Sequence, residues 1–227
     1  METRRRRAAD EKEHLIIFDL DGTLVDSYRD IAASVNEFLE KRGKEPLPPG
    51  RIYGFIGRGV RKLLDRALGG LASEEELDRA IGQFLPIYRN HLLDTTRPFP
   101  GVMEALARLE KSNHLAVLTN KPRVEAVAIL DGLTMSRFFR WIFGGESFPR
   151  RKPDPAGVNA LIDLAGASRD RTLLVGDSGV DFETARNAAV AFCLVSYGRE
   201  TEALRKLNPD YLVDRLDELP ALLTRQR

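Results

Sequence analysis

The feature that most constrains the fold is a series of short, continuously apolar segments separated by helical patterns. These segments cover residues 15–18, 115–118, 141–143, 172–175 and 191–195, with a weaker one at 211–213. Because their apolar residues do not alternate with polar ones, the segments are typical of strands that are covered on both faces. Apolar residues at helical spacing lie between most of them. The sequence therefore predicts an α/β fold with a doubly wound, Rossmann-like parallel sheet as its core.

One long region interrupts this alternation with helical patterns alone. Between about residues 28 and 96 there are three apolar stripes of helical spacing and no good strand. Ser73 and Glu76 have the spacing of a capping box at the start of the third stripe, and Pro86 within it predicts a kink. We predict a flexible basic tail at 1–12, an α/β core at 13–26 and 98–227, and an all-helical cap at 27–97.

The charge balance argues against nucleic-acid and membrane partners. The 227 residues carry a formal net charge of +1, and no apolar run approaches the roughly 20 residues that span a bilayer.

The single cysteine, Cys193, cannot form a disulfide within the chain, which fits a reducing compartment. Residues 4–7 are all arginine, but no apolar stretch of a secretory signal follows, so we interpret them as a solvated tail. We predict a cytoplasmic monomer or homodimer.

Carboxylates, a hydroxyl and an ammonium group follow four of the predicted strands. In chain order they are Asp19 and Asp21, then Thr119 and Asn120, then Lys152, then Asp177 and Asp181. Because the carboxyl ends of parallel strands meet at one edge of the sheet, we expect these side chains to converge. Crowded carboxylates repel each other and also repel a phosphate, and a divalent cation relieves both repulsions. Hard oxygen ligands and a phosphate substrate favour Mg²⁺.

These residue types suit phosphoryl transfer to and from the protein. Asp19 and Asp21 are two residues apart in an extended segment, so both point toward one site. In this interpretation Asp19 is a covalent nucleophile on phosphorus, and Asp21 protonates the leaving oxygen and then activates water. Thr119 and Lys152 bind phosphate oxygens, and Asn120 is a further substrate-binding candidate. Asp181 either binds a metal-bound water or holds Lys152 in place. The sequence thus predicts a magnesium-dependent phosphatase acting on a small phosphorylated metabolite.

Four sequence motifs resemble those of the haloacid dehalogenase-like hydrolases. The resemblance covers residues 18–27 for the first motif, 119–120 for the second, 152–153 for the third and 176–181 for the fourth. It implies metal ligation by the Asp19 carboxylate, the Asp21 backbone carbonyl and Asp177. It also implies that the helical region is a cap inserted between the first two motifs. Dehalogenase members lack the second aspartate of the first motif, so the intact Asp21 favours the phosphatase branch.

Two longer segments resemble one subgroup of that family, the bacterial phosphoglycolate phosphatases. They cover residues 91–101 and 144–155. The resemblance implies 2-phosphoglycolate as the substrate, a phosphate monoester with a carboxylate at its other end. A cap over this substrate should offer a cation. Arg58 is the candidate, because Gly57 and Gly59 on either side allow the backbone to approach a ligand closely.

Other functions are compatible with the same motifs. A phosphosugar mutase uses such a core but returns the phosphoryl group to its substrate, so release of inorganic phosphate separates it from a hydrolase. A pyrophosphatase or a sugar phosphatase differs only in the chemistry of the cap, which a substrate panel distinguishes. A non-enzymatic binding protein with a relic site is disfavoured, because the full set of acidic, hydroxyl and ammonium groups is intact.

Overall fold

A six-stranded parallel sheet forms the centre of the fold. The computed structural model describes residues 14–198 and 201–224, so the predicted tail at 1–12 lies outside the described residues. The strands within these ranges are β1 (Leu15–Phe18), β2 (Val25–Asp26), β3 (Arg97–Pro98), β4 (His114–Leu118), β5 (Trp141–Phe143), β6 (Thr172–Gly176), β7 (Ala191–Val195) and β8 (Tyr211–Val213). The parallel sheet has the order β5-β4-β1-β6-β7-β8. Every predicted strand is present, and the predicted fold class is confirmed.

Both faces of this sheet are covered, which explains why its strands are continuously apolar. Ile16 and Phe18 of β1 belong to one buried apolar cluster, whereas Leu15 and Ile17 belong to a second cluster. Successive side chains of a strand point to opposite faces, so the two clusters lie on opposite sides of the sheet. The strand β1 lies between β4 and β6 and is the fully covered centre that carries Asp19 at its end.

Helices cover the sheet and also form a separate layer. Their bounds are α1 (Tyr28–Lys41), α2 (Pro49–Tyr53), α3 (Val60–Ala67), α4 (Glu74–Asn90), α5 (Val102–Leu109), α6 (Arg123–Gly132), α7 (Ala156–Ala165), α8 (Gly179–Ala188), α9 (Thr201–Arg205) and α10 (Leu219–Thr224). Among the described residues, no helix has both the length and the apolar character that crossing a membrane requires.

The helices α1 to α4, here called the helical insertion, lie between β2 and β3. These two strands pair antiparallel, with Val25 opposite Pro98, and connect the insertion to the rest of the chain. Within the insertion, the rings of Phe38 and Phe84 meet edge to face at 6.1 Å. Ser73 caps α4 by accepting a hydrogen bond from a backbone N–H, as the sequence predicts, and the helix continues through Pro86. The division into cap and core stays a prediction.

Candidate active site

A buried cluster of three carboxylates and one ammonium group lies at the carboxyl edge of the sheet. Asp19 follows β1, Asp177 follows β6, and Asp181 lies in the first turn of α8. One carboxylate oxygen of each lies within 4.8 Å of the others. The Nζ atom of Lys152 is 2.9 Å from Asp19 Oδ1 and 2.6 Å from Asp181 Oδ1. The sheet edge thus brings together residues that are far apart in the sequence.

Burial and mutual repulsion make this cluster electrostatically unusual. Burial raises the pKa of Asp19 to about 6, although the neighbouring Lys152 acts in the opposite direction. Burial, together with the charges of Asp181 and Asp19, raises the pKa of Asp177 well above its usual range. Burial would lower the pKa of Lys152, but the two carboxylates beside it outweigh this effect and raise it. One ammonium does not neutralise three carboxylates, so the cluster fits an additional cation.

Asp177 is held in place by two hydroxyl groups. Thr23 Oγ1 donates to Asp177 Oδ1 and the Tyr28 hydroxyl donates to Asp177 Oδ2, both at 3.2 Å. Gly22 passes close to the same carboxylate with a φ of +91°, and a Cβ atom there would overlap both Asp177 and Tyr28. Only glycine combines this backbone conformation with so close an approach.

Asp181 has most of its bonding capacity occupied by the protein. Its Oδ1 accepts from Lys152, and its Oδ2 accepts from the backbone N–H and the hydroxyl of Ser178. Ser178 and Asp181 together form the capping box of α8. Of the two roles that the sequence left open for Asp181, these contacts fit that of holding Lys152. The donor set therefore favours Asp19 and Asp177 as the carboxylates that could hold a metal ion.

Asp21 has partners of its own, which the sequence reasoning missed. Lys121 Nζ lies 2.7 Å from Asp21 Oδ1 and 3.0 Å from Oδ2, and the Ser27 hydroxyl donates to Oδ1. Thr119 is buried at the end of β4, where its Oγ1 accepts from the backbone N–H of Lys121 at 3.2 Å. The only sequence signal for Lys121 was its position directly after the second motif.

Asn120 joins two loops at the site. Its Nδ2 donates to the backbone oxygens of Gly57 and Lys152, each at 3.0 Å. Gly57 and Gly59 line a small cavity beside this contact, whereas Arg58 between them is exposed. The structure thus brings Asn120 to the site, and it brings the backbone of the loop around Arg58 there as well. The substrate contacts of both side chains stay predictions.

The cavity connects the helical insertion to Asp19. It has a volume of about 50 Å³. Its polar wall contains Asp19, Asp21, Thr119 and Lys121 from the sheet side, and its apolar wall comes largely from α3 and α4, including Phe84. A small molecule in this cavity would therefore have one end at the acidic cluster and the remainder beneath the helices.

Comparison with known proteins gives consistent matches. A sequence model of the haloacid dehalogenase-like hydrolases matches residues 16–195. The chain is 39% identical over 220 residues to the plasmid phosphoglycolate phosphatase of Cupriavidus necator, covering 93% of this chain and 94% of that protein. It is 36% identical over 213 residues to phosphoglycolate phosphatase 1 of Pseudomonas aeruginosa, covering 90% of this chain and 78% of that protein.

A solved structure has the same fold. The crystal structure of a predicted phosphoglycolate phosphatase from Haemophilus somnus is similar with a TM-score of 0.87 and 31% sequence identity, and the match covers 92% of this chain and 97% of that one. The family resemblance of the four motifs is thereby confirmed, as is the expectation of an enzyme. The chain belongs to the haloacid dehalogenase-like hydrolases and is a phosphatase of that family.

Proposed function

We propose that this phosphatase depends on Mg²⁺ and hydrolyses 2-phosphoglycolate to glycolate and phosphate through an aspartyl-phosphate on Asp19. The observation that carries the proposal is the buried cluster of Asp19, Asp177, Asp181 and Lys152 at the end of a small cavity. The names of the relatives support the choice of substrate. We also retain as predictions a cytoplasmic location, a monomeric or homodimeric state, and a substrate contact by Arg58.

The proposed reaction has two steps. In the first, the Asp19 carboxylate attacks phosphorus, the bond from phosphorus to the bridging oxygen breaks, and Asp21 gives that oxygen a proton. In the second, water attacks the aspartyl-phosphate, Asp21 accepts a proton from the water, and Asp19 is regenerated with release of phosphate. Thr119 and Lys152 hold the phosphate oxygens during both steps. Lys121, in contact with Asp21, stabilises the carboxylate that remains after proton donation.

Three groups of this chain would hold the metal: the carboxylates of Asp19 and Asp177 and the backbone carbonyl of Asp21. When bound, Mg²⁺ supplies positive charge that neutralises the transferring phosphoryl group. The chain's own contribution is to keep Asp177 oriented through its hydroxyl partners, Thr23 and Tyr28. Lys152 keeps Asp19 oriented from its other side.

We expect Mg²⁺ to raise the melting temperature of the protein, because a ligand that binds only the folded state stabilises it. The increase should grow as the pH rises from about 5 to about 8, because metal binding requires ionised carboxylates. The pKa of Asp19 is about 6, and that of Asp177 is also raised, so both groups lose protons as the pH rises. Thermal denaturation with and without Mg²⁺ measures the effect. Asp177→Asn should lose it, whereas Asp163→Asn on the exposed face of α7 should keep it. An equal shift in both variants would contradict the proposed ligands.

We expect phosphate release to be fastest from 2-phosphoglycolate in a panel that also contains pyrophosphate, a hexose phosphate and phenyl phosphate. The ratio of kcat/KM over the next best compound should be at least about tenfold, because a site built for a carboxylate rejects analogues without one. Removal of divalent cations with a chelator should abolish turnover. Conversion of a hexose phosphate to its isomer without phosphate release would favour a mutase. A preference for pyrophosphate or a hexose phosphate would replace the proposed substrate.

A further inference from the structure

Lys121 places a buried positive charge in the wall of the cavity. Its side chain is 3% exposed. Asp19, Asp21 and Lys121 are the charged residues among those described that line the cavity, so Lys121 is the one cation there. Burial works against its charge, but Asp21 outweighs this effect and raises the pKa of Lys121, as does the nearby Tyr88. The cavity therefore contains a permanent ammonium group close to the proposed acid.

Tyr88 of α4 lines the same cavity from the helical insertion. Its side chain is buried, its hydroxyl interacts with the Lys121 ammonium, and no acceptor for the hydroxyl proton lies within the described part of the chain. The ring contributes as well, because Lys121 Nζ lies 4.9 Å from its centre, where the ring face attracts a cation. A buried hydroxyl whose proton has no acceptor is unfavourable until a ligand accepts that proton.

Lys121 and Tyr88 supply hydrogen-bond donors to the same part of the cavity wall. An ammonium has three N–H donors, and the contacts of Lys121 to Asp21 involve the two carboxylate oxygens. Asp21 therefore leaves one donor of Lys121, on the side where the ammonium interacts with Tyr88, and the Tyr88 hydroxyl supplies another. Two donors, one of them charged, match the two oxygens of a carboxylate.

The structure of the proposed substrate fits this position. In 2-phosphoglycolate a single methylene separates the carboxylate from the bridging oxygen, which Asp21 must reach in order to protonate it. A cation in contact with Asp21 is therefore close to the carboxylate of the bound substrate. We infer that Lys121 and Tyr88 bind the substrate carboxylate and so select short phosphate esters that carry one. This inference rests on the proposed function.

Arg58 is the competing candidate for the same role. Its side chain is exposed, so solvent screens its charge, whereas Lys121 acts within a buried wall where electrostatic contacts are stronger. Tyr88 belongs to the helical insertion, whereas Lys121 belongs to the loop after β4. A carboxylate held by both would link the insertion to the sheet.

The test compares 2-phosphoglycolate with ethyl phosphate, which has the same two carbons and no carboxylate. The measured quantity is the ratio of kcat/KM for the two substrates in wild type, Tyr88→Phe and Lys121→Met. Tyr88→Phe removes one oxygen and should lower this ratio about tenfold with little change for ethyl phosphate. Lys121→Met should slow both substrates, because Asp21 loses its partner, and should lower the ratio by more than Tyr88→Phe does. Lys121→Arg keeps the charge and should retain most of the ratio.

The controls make the same chemical changes elsewhere. Tyr211→Phe alters β8 at the far edge of the sheet, and Lys62→Met alters an exposed position of α3. Both should leave the ratio unchanged. Thermal denaturation identifies any variant that fails to fold. If Lys121→Met does not fold, Lys121→Arg tests the role of the charge, and Tyr88→Phe, the smallest of the changes, tests the role of the hydroxyl.

The outcomes separate the inference from the function on which it rests. A wild type without preference for 2-phosphoglycolate over ethyl phosphate contradicts the proposed substrate, and the inference fails with it. A wild-type preference that is unchanged in Tyr88→Phe or in Lys121→Met overturns the assignment of that residue and leaves the proposed function intact. Loss of the preference in Arg58→Ala, with both of those variants unaffected, assigns the carboxylate to Arg58.

Discussion

Asp19→Asn should abolish phosphate release from every substrate while leaving the protein folded. An amide is a poor nucleophile and cannot form the aspartyl-phosphate, so kcat should fall by at least about a thousandfold. The fold should tolerate the change, because Lys152 keeps its shorter contact, 2.6 Å to Asp181. Burial also raises the pKa of Asp19 to about 6. At neutral pH Asp19 is still mostly ionised, but its ionisation costs more free energy in the folded state than in the unfolded state, and the uncharged amide removes that cost.

Two measurements check this expectation. Phosphate release gives kcat, and thermal denaturation in a chelator shows whether the melting temperature is unchanged or higher. Asp163→Asn makes the same change on the exposed face of α7 and should match the wild type in both. If Asp19→Asn kept more than about a tenth of the wild-type kcat, another group would have to be the nucleophile.

Lys152→Met should destabilise the protein as well as inactivate it. The Lys152 side chain is 2% exposed and contacts Asp19 at 2.9 Å and Asp181 at 2.6 Å. Without the ammonium, these carboxylates remain buried and uncompensated, and breaking one side of a buried ion pair costs about 3–5 kcal/mol. Loss of the positive charge that faces the phosphoryl group should lower kcat by about a hundredfold or more.

The dependence of this destabilisation on pH tests its electrostatic cause. The carboxylates that Lys152 leaves behind become neutral when they bind protons. Loss of Lys152, which lowers the pKa of Asp19 in the wild type, raises that pKa further in the variant. The difference in unfolding free energy between wild type and Lys152→Met should therefore shrink as the pH is lowered from neutral toward about 6, the pKa of Asp19 in the wild type. Urea denaturation at several pH values, in a chelator, measures it. Lys206→Met at an exposed position should change stability by less than about 0.5 kcal/mol. A difference independent of pH would indicate lost packing instead.

The sheet and the acidic cluster were predictable because each depends on a local pattern and one general rule. Continuous apolar runs such as residues 15–18 indicate strands covered on both faces, and parallel strands place their following residues at one edge. That rule brings Asp19, Lys152 and Asp177 together without knowledge of any contact. The Asp181 contact to Lys152 was one of two alternatives, since spacing alone does not show which way a helical side chain turns.

The remaining contacts depend on loop courses and on pairs that no local pattern encodes. Lys121 and Asp21 are 100 residues apart, and Tyr28 and Asp177 are 149 residues apart. The pairing of β2 with β3 involves two residues from each strand, too few to give a periodic pattern. For Arg58, the sequence shows flexible neighbours but not whether the side chain points into the cavity or toward solvent.

The two hydrogen bonds of Asn120 would affect how fast the site re-forms if the helical insertion separates from the sheet to release products. Its amide contacts Gly57 in the helical insertion and Lys152 in a loop beside the sheet. Separation of the insertion from the sheet would break the first bond and keep the second. The side chain would then keep the orientation that rebinding requires, and its conformational entropy would already be lost before the next encounter. After such a separation, re-docking of the insertion would require no rotamer search at Asn120.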